Sequence, residues 1–346
     1  MLAISKVRPI KGGVELHEAL AAAEPAPDEI KIKVKATGIC GTDLHIFHWV
    51  AWAAQRIKVP QILGHEIAGT VEAVGQAVSG VRVGDLVSLE SHIFCGKCHQ
   101  CMTGRAHLCA DLHYPGIDRP GGFAEYVTVP ARIAWVHRAP IQMEVAAMFE
   151  PFGIAVQACF EGCGVAGQDI LITGCGPIGL MAIAAARSLG AARVIATDVK
   201  PARLAAASKL GADRVVNVLK EDPVAIVMDM TGRSGVDVVM EFSGQEKALT
   251  QALDALTRGG DLRLIGAPDA PVNLDLNRLI LKGIKVQGIH GRKIFHSWEH
   301  ASRLVYSGKV DLRPLVSHVL PLQEGVSSFE LIESGEAVKV IIRPGS

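Results

Sequence analysis

A glycine-rich turn between an apolar strand and an alanine-rich helix constrains the fold more than any other feature of this sequence. It has the pattern Gly-x-Gly-x-x-Gly and follows the apolar residues 170–173. The first glycine permits a tight reversal, the second lets backbone N–H groups approach a pyrophosphate, and the third lets the helix pack against the strand. The N-terminus of that helix then faces the phosphates. We predict that this turn, which contains Pro177, binds a dinucleotide through its glycines Gly174, Gly176 and Gly179.

An acidic residue at the end of the next predicted strand supports this interpretation. Residues 193–197 form a second apolar strand, and Asp198 follows it, nineteen residues after Gly179. That separation is close to the ~20 residues expected for the acid that binds a ribose 2′-hydroxyl. Because a carboxylate repels a 2′-phosphate, the sequence predicts NAD rather than NADP. The alternative interpretation of the Gly-x-Gly-x-x-Gly pattern is an ordinary glycine-rich loop that binds no nucleotide.

The length of 346 residues favours two domains and an α/β fold. Residues 1–152 show short strands punctuated by glycines, which predicts a β-rich, partly open barrel. Residues 153–291 alternate between strands and helices, which predicts a doubly wound, six-stranded parallel Rossmann sheet. Residues 292–346 are too short to fold alone, so we expect them to complete the first domain. A cleft between the two domains is the expected place for chemistry.

The strand and helix predictions can be stated by range. In the first region the predicted strands are 29–35, 67–78, 81–89 and 121–130, and a helical pattern begins near Met143. In the second region the predicted strands are 170–173, 193–197, 214–217, 236–241, 261–265 and 285–289, with helices over 201–210 and 245–255. The last predicted strand, 338–342, belongs to the returning segment.

Charge and hydropathy exclude several classes of partner. Lys plus Arg and Asp plus Glu number 35 each, so no net field draws nucleic acid or an anionic membrane, and we expect a small-molecule substrate. The N-terminus lacks a signal-peptide pattern, and the most apolar helix, 178–186, is too short to span a membrane. We therefore expect a cytoplasmic protein, in which the eight cysteines serve as ligands or core thiols rather than disulfides.

Four of those cysteines lie within fifteen residues, as Cys95-x-x-Cys98-x-x-Cys101 followed by Cys109. Four thiolates on a short loop can close a tetrahedron, so this spacing predicts a structural zinc site. An iron–sulfur cluster is the alternative, but its usual run places the fourth cysteine after three residues and before proline. Here seven residues intervene and Ala110 follows. Plain thiols are the third possibility.

A second set of residues that could bind a metal is spread more widely along the chain. Cys40, His65 and an acid from Glu66 or Glu150 would give three protein ligands and an open position, as catalytic zinc requires. Each residue also has an ordinary interpretation as a surface or hydrogen-bonded core residue. His92, beside the cysteine lobe, either packs in the interior or presents a polar side chain at the mouth of the cleft.

The order of these motifs resembles the zinc-dependent medium-chain alcohol dehydrogenases over essentially the whole chain. The resemblance implies a GroES-like catalytic domain, a Rossmann domain, NAD, two zinc ions per subunit and usually a homotetramer. The match narrows to the members that oxidise L-threonine at its secondary hydroxyl, through residues 38–46 with Trp49 and Trp52, 90–93, 150–153 and 288–292. The alternatives are a dehydrogenase of the same family acting on a polyol such as sorbitol or butanediol, and a zinc- and NAD-binding sensor without turnover.

The resemblance also implies roles for individual residues. The catalytic zinc would be held by Cys40, His65 and Glu66, with Glu150 as a further ligand or relay group, and the structural zinc by Cys95, Cys98, Cys101 and Cys109. The proton relay would consist of Thr42 and His45, and a sensor has no use for such a relay. NAD contacts would come from Ile178, Asp198, Arg203, Ile265, Gly266, Ala267, Ile289 and His290. For the substrate, we expect Glu150 near the ammonium group and His92 or Arg292 near the carboxylate. Two positions depart from the family pattern, namely Ile154 in place of Asn and Cys175 in place of Ala.

Overall fold

The computed structural model describes residues 1–18, 21–268, 270–335 and 337–345, and the chain divides into two compact units. The first unit contains Met1–Glu150 and Leu312–Ser346, and the second contains Pro151–Asp311. Among the described residues, no helix is long and apolar enough to cross a membrane.

The strands are numbered in chain order. They are β1 (Leu2–Lys6), β2 (Val14–Glu18), β3 (Glu29–Gly38), β4 (Gln61–Ile62), β5 (Glu66–Val74), β6 (Leu86–Leu89), β7 (Tyr126–Pro130), β8 (Ala134–Val136), β9 (Asp169–Thr173), β10 (Arg193–Asp198), β11 (Arg214–Asn217), β12 (Val236–Glu241), β13 (Leu256–Leu264), β14 (Lys285–Gly288), β15 (Val316–Pro321) and β16 (Lys339–Arg343).

The helices are numbered in the same way. They are α1 (Gly41–His48), α2 (Ala51–Arg56), α3 (His99–Met102), α4 (Met143–Ala147), α5 (Phe149–Phe160), α6 (Pro177–Ser188), α7 (Pro201–Lys209), α8 (Pro223–Met230), α9 (Glu246–Ala255), α10 (Leu276–Lys282), α11 (His296–Tyr306) and α12 (Ser328–Ser334). Short 3-10 turns cover Ala106–Leu108, Ala131–Ile133, Arg313–Leu315 and Leu322–Glu324.

The second unit is built on a six-stranded sheet with the order β11-β10-β9-β12-β13-β14, and each neighbouring pair is parallel. The predicted doubly wound sheet is thus confirmed. The chain runs outward from β9 in one direction and then restarts from β12 in the other. The carboxyl ends of β9 and β12 therefore meet at the point where the strand order reverses, which is where open α/β sheets bind ligands.

Strand β3 organises the first unit. Its Ile30, Ile32 and Val34 are buried while the intervening lysines point outward, as the alternation of the sequence predicts. It pairs with β5 along one edge, and β7 and β16 share the other edge at its two ends. The returning strand β16 therefore lies beside the end of β3, immediately before Cys40.

The returning segment begins later than predicted. Residues 292–311 belong to the second unit, and the chain enters the first unit again at Leu312. The reason is α11, whose Trp298 is fully buried. Ser297 Oγ donates a hydrogen bond to Gln157 Oε1 at 2.6 Å, which ties the start of this helix to α5. Helix α11 thus covers part of the second unit before the chain returns.

Several strands in the first unit are shorter than predicted. Strand β5 ends at Val74, β6 begins only at Leu86, and β7 begins at Tyr126. Between the first two, Gly80 and Gly84 have φ values of 80° and 90°, so the intervening residues turn instead of pairing. In the second unit β13 begins at Leu256, before the predicted residue 261.

Candidate metal and nucleotide sites

Helix α1 and its N-cap carry three of the predicted site residues. Cys40 is the N-cap of this helix, two residues after the end of β3 at Gly38. Its backbone N–H donates to Asp43 Oδ2 at 2.9 Å, so a carboxylate closes the helix start. Thr42 Oγ1 lies 3.8 Å from Cys40 Sγ, and His45 is exposed one turn further along. A thiol, a hydroxyl and an accessible imidazole thus belong to one short helix and its N-cap.

His65 and Glu66 come together with Cys40 at the start of β5. One ligand atom from each of the three residues lies within 4.8 Å of the others. Gly64 has φ of 90°, a left-handed conformation, and a Cβ there would collide with the ring of Phe123. The sequence Gly64-His65-Glu66 therefore turns sharply enough to aim both side chains at the end of β3.

A lysine that sequence analysis missed neutralises Glu66. Lys339 Nζ forms an ion pair with Glu66 Oε2, and both side chains are buried. The same ammonium donates to the carbonyl of Ile39 at 2.8 Å. Gly38 lies opposite Glu66 in the β3–β5 ladder, and a Cβ at Gly38 would overlap the Glu66 carboxylate. Burial raises the pKa of Glu66, while Lys339 opposes that rise.

Asp43 is the second residue that sequence analysis missed. Its Oδ1 lies 3.8 Å from His65 Nδ1, and both atoms are buried without a hydrogen-bond partner in the described part of the chain. Burial by itself lowers the pKa of His65, but the negative charges of Cys40 and Asp43 raise that pKa well above its ordinary value. The pocket thus attracts positive charge, which fits a cation held by a thiolate, an imidazole and a carboxylate. A carboxylate behind a ligand histidine is a common support for zinc.

Glu150 and His92 lie near this group in different ways. Glu150 acts electrostatically on both His65 and Glu66, and Ser91 Oγ donates to its Oε1 at 2.6 Å. His92 is buried, with its Nδ1 2.6 Å from Glu90 Oε1 and its ring edge-on to Tyr114. Glu90 therefore orients the His92 ring, and contact of His92 with the substrate stays a prediction.

The four-cysteine lobe has the dimensions of a zinc tetrahedron. The Sγ–Sγ separations are 4.0 Å for Cys95 and Cys101, 3.6 Å for Cys98 and Cys101, and 3.8 Å for Cys98 and Cys109. A tetrahedron with Zn–S bonds of about 2.3 Å has edges of about 3.8 Å, whereas a disulfide brings two sulfurs to about 2.05 Å. The residues therefore fit a closed structural zinc site.

Backbone N–H groups around the lobe donate hydrogen bonds to several of the cysteine sulfur atoms. The N–H groups of Lys97 and Cys98 donate to Cys95 Sγ at 3.5 and 3.3 Å, and that of Asp111 donates to Cys109 Sγ at 3.3 Å. Backbone N–H groups lower the pKa of Cys98 to about 6, whereas burial raises the pKa of Cys101 to about 12, so the amides favour the thiolate at Cys98 but not at every sulfur. Such donors stabilise thiolates, which are the form that binds metal.

The glycine turn has the geometry that its sequence predicts. Gly174 has φ of 89°, and a Cβ there would lie 2.9 Å from Ser243 N. Gly176 is the N-cap of α6, with open space where a side chain would stand, and Pro177 occupies the first helical position. A Cβ at Gly179 would collide with the carbonyl of Gly174. The turn thus leaves the N-terminus of α6 accessible to a phosphate.

Asp198 is held in place by two backbone amides. Its Oδ2 accepts a hydrogen bond from Cys175 N and its Oδ1 accepts one from Lys200 N, both at 2.8 Å. Arg203 Nη1 lies 3.8 Å from Asp198 Oδ2. Cys175, the departure from the family pattern, is fully buried with Sγ 3.6 Å from the carbonyl of Thr197, so its thiol fills the interior of the turn.

The remaining predicted cofactor residues lie where neighbouring strands end. Ile265, Gly266 and Ala267 follow β13, and Ile289 and His290 follow β14. Glu241, at the end of β12 and missed by sequence analysis, orders this region. Its Oε1 accepts hydrogen bonds from Ser243 N at 2.7 Å and Gly244 N at 3.1 Å, and its backbone carbonyl accepts one from Gly266 N at 2.8 Å.

The two other residues singled out from the sequence lie in the second unit. Ile154 is half-buried in α5. Arg292 is fully buried, with its guanidinium 5.7 Å from the ring centroid of Trp298 and its side chain filling the space above Gly153.

Comparisons with known proteins agree with this arrangement. A family model described as the alcohol dehydrogenase GroES-like domain matches residues 26–140, and a model described as zinc-binding dehydrogenase matches residues 177–307. The first range contains both cysteine-bearing groups, and the second contains the helix that follows the glycine turn.

Individual proteins match over nearly the whole chain. An L-threonine 3-dehydrogenase from Pyrococcus abyssi is 46% identical over 343 residues, which cover 99% of this chain and 98% of that protein. One from Bacillus velezensis is 45% identical over 318 residues, which cover 92% of each. Among solved structures, an alcohol dehydrogenase from a Thermus species superposes with a TM-score of 0.92 at 30% identity, covering 99% of this chain and 100% of that one.

Proposed function

The chain belongs to the zinc-binding dehydrogenases with an alcohol dehydrogenase GroES-like domain, and we propose that it oxidises L-threonine at its secondary hydroxyl with NAD. The product is 2-amino-3-ketobutyrate, together with NADH and a proton. The observation that carries this proposal is the group of Cys40, His65 and Glu66, with Thr42 beside Cys40, in a chain similar throughout to L-threonine 3-dehydrogenases.

Zinc would be held by Cys40, His65 and Glu66, and Glu150, whose charge acts on His65 and Glu66, would be the further ligand or relay group. When bound, the metal supplies Lewis acidity, which lowers the pKa of a substrate hydroxyl as it lowers that of water. Asp43 would orient His65, and Lys339 would balance the charge of Glu66. A second zinc at Cys95, Cys98, Cys101 and Cys109 would stabilise the lobe without contacting substrate.

The proton of the substrate hydroxyl needs a path to solvent. Thr42 would accept it and pass its own hydroxyl proton on toward His45, because the Thr42 hydroxyl lies beside Cys40. His45, exposed one turn further along α1, would release it to water. Imidazole has an ordinary pKa near 6.5 and is suited to this exchange near neutral pH.

NAD would bind at the carboxyl ends of the parallel strands. Gly174, Gly176, Pro177, Ile178 and Gly179 would hold the pyrophosphate, and Asp198 would accept hydrogen bonds from the adenosine ribose. NAD, when bound, accepts the hydride from the substrate carbon. Arg203 would neutralise Asp198 only in part, since its guanidinium is 3.8 Å away. The nicotinamide side would be bounded by Ile265, Gly266, Ala267, Ile289 and His290.

Substrate choice must come from groups that bind the ammonium and carboxylate of an amino acid, since any secondary alcohol can approach zinc. A site built to bond such groups strongly rejects analogues that lack them. Glu150 would bind the ammonium, and His92, oriented by Glu90, would help with the carboxylate. Arg292, which is buried as His92 is, remains the other candidate for the carboxylate.

A substrate panel tests the proposal. We expect kcat/KM to be highest for L-threonine among L-threonine, D-threonine, L-serine, 2,3-butanediol and sorbitol. His92→Ala should lose more activity on L-threonine than on butanediol, which has no charged group to anchor. If sorbitol or butanediol is the better substrate, the enzyme is a polyol dehydrogenase of the same family. If the zinc-loaded protein reduces no NAD with any alcohol, the sensor alternative holds.

We also expect a homotetramer, and edge strand β14 is the surface that supports self-association. Its outer edge is unpaired among the described residues. Beside it lie exposed apolar side chains, namely Leu276, Ile280, Leu281 and Val286. A second copy adding its own β14 would continue the sheet and cover these side chains. Light scattering should give a tetramer for the wild type and a smaller species for Val286→Lys; a monomeric wild type would contradict the proposal.

The free cysteines are compatible with the expected cytoplasmic location.

A further inference from the structure

Lys6, the last residue of β1, is buried and takes no part in the chemistry described above. Its Nζ donates hydrogen bonds to the carbonyls of Ile10 at 2.7 Å, Gly12 at 2.6 Å and Phe47 at 3.2 Å. It also lies 5.0 Å from the ring centroid of Trp49. Three acceptors use all three N–H groups of an ammonium. Burial lowers the pKa of Lys6 to about 8, which still leaves the amine mainly protonated at neutral pH.

These contacts join two segments that are distant in sequence. Ile10 and Gly12 belong to the loop 7–13 after β1, whereas Phe47 and Trp49 form the C-terminal end of α1. The Gly12 N–H also donates to the Phe47 carbonyl at 2.9 Å. The ammonium therefore sits at the negative end of the helix dipole, where a cation stabilises the last turn.

Trp49 ends α1 in a left-handed conformation with φ of 57°, which is unusual for a residue with a large side chain. Its N–H donates to Ile46 O at 3.2 Å. Attraction between the ammonium and the face of the indole ring offsets part of the cost of this conformation. Lys6 thus contacts both the last carbonyls of α1 and the residue that terminates it.

Helix α1 has only eight residues, too few to be stable in isolation. Its N-terminal end is fixed by Asp43, which accepts a hydrogen bond from Cys40 N. Its C-terminal end is fixed by Lys6. Between these two anchors lie Thr42 and His45, whose positions relative to Cys40 determine whether a proton can be passed.

We propose that Lys6 is a positioning residue, whose ammonium clamps the C-terminal end of α1 to the loop 7–13 and thereby aligns Thr42 and His45 with the metal ligand Cys40. The alignment of the relay rests on the proposed function. The clamp itself concerns the structure of α1 alone and can be measured without substrate.

The test compares Lys6→Met with wild type and with Arg8→Met. Methionine keeps the length of the side chain and removes its charge and donors. Arg8, two residues further along in the loop 7–13, is exposed and forms a surface ion pair with Glu15 at 2.7 Å, so its variant controls for the loss of one positive charge close to Lys6 in the sequence. Each holoenzyme is assayed well below its midpoint of thermal unfolding, and hydrogen exchange is measured on peptides covering 8–13 and 41–50.

For Lys6→Met we expect faster exchange confined to those two segments. We also expect kcat on L-threonine to fall about tenfold or more with KM little changed, because a misplacement of ~1 Å can cost up to about a hundredfold. Arg8→Met should match wild type in both measurements. An unchanged kcat in Lys6→Met would show that Lys6 stabilises the fold without positioning the relay. Unchanged hydrogen exchange in α1 would contradict the proposal that Lys6 holds this helix.

Two further outcomes are also informative. If Lys6→Met does not fold, Lys6→Gln removes the charge and at least one of the three hydrogen bonds while keeping a polar side chain; faster exchange over 41–50 supports the clamp, and wild-type exchange there overturns it. If the wild type does not oxidise L-threonine, the proposed function fails, while the exchange measurements still decide whether Lys6 holds α1.

Discussion

Replacing Gly38 by alanine should separate the buried ion pair of Glu66 and Lys339. The new Cβ would overlap Glu66 Oε2 and lie 3.1 Å from Glu66 Cδ and 3.0 Å from Lys339 Cε. Gly38 and Glu66 are direct partners in the antiparallel β3–β5 ladder, so the backbone cannot retreat without breaking that ladder. The carboxylate must therefore leave its position.

The size of the effect follows from two contributions. Inserting a methyl group into a filled interior costs about 1–3 kcal/mol. Separating a buried ion pair costs up to about 3–5 kcal/mol if one charge loses its partner. Because part of the strain is relieved when the carboxylate moves, we expect a loss of about 3 kcal/mol in the free energy of unfolding, more than a hundredfold in the equilibrium constant. Displacing Glu66 should also weaken the catalytic metal site while leaving the four-cysteine site loaded.

Urea unfolding of the zinc-loaded enzyme and metal analysis of the native protein measure the two effects. Gly41→Ala is the matched control, since a Cβ there meets nothing within 4 Å and its φ is not in the left-handed region. We expect Gly38→Ala to have a lower urea midpoint and about one zinc per subunit instead of two. If Gly38→Ala retains the wild-type midpoint and both metals, the assignment of Glu66 and Lys339 as a tightly enclosed pair is wrong.

Three other predictions follow from separate parts of the molecule. Cys101→Ser should lower thermal stability and zinc content, because metal binding contributes folding energy, while the requirement for Cys40 in catalysis persists; wild-type stability with unaltered zinc would refute the structural site. Asp198→Ala should narrow the preference for NAD over NADP by about tenfold or more, as ~1.4 kcal/mol is already tenfold; equal use of both cofactors by the wild type would contradict the role of Asp198. Burial lowers the pKa of His137 to about 4 from an ordinary 6.5. Between pH 4 and 6.5 the unfolded chain therefore binds more protons at His137 than the folded protein does. The free energy of unfolding should fall by roughly 3 kcal/mol at most as the pH drops from 6.5 to 4. In His137→Gln the urea midpoint should depend less on pH between 6.5 and 4 than in the wild type. If the midpoints of the two proteins change with pH in parallel, His137 is not the cause.

Local chemistry in the sequence determined much of this protein. The glycine turn and the acid after the next strand predict a Rossmann sheet, because a phosphate-binding loop needs particular residues at fixed short spacings. The spacing of the four cysteines likewise predicts a tetrahedral zinc site, because the four ligands must come from fixed positions on a short segment. The alternation in β3 and the βα repeats predict the two kinds of sheet. The fold class and the family are confirmed, while the individual site residues stay predictions.

Only the tertiary structure decided which distant residues support the site. Lys339 reaches Glu66 because β16 returns beside β3, a pairing that no local pattern signals. The approach of Asp43 to His65 likewise depends on how α1 packs against the start of β5. The late return of the chain at Leu312 likewise follows from the burial of Trp298 in the second unit. Local sequence sets the conformation and chemistry of short segments, whereas the partner of a buried charge is set by the packing of segments far apart in the chain.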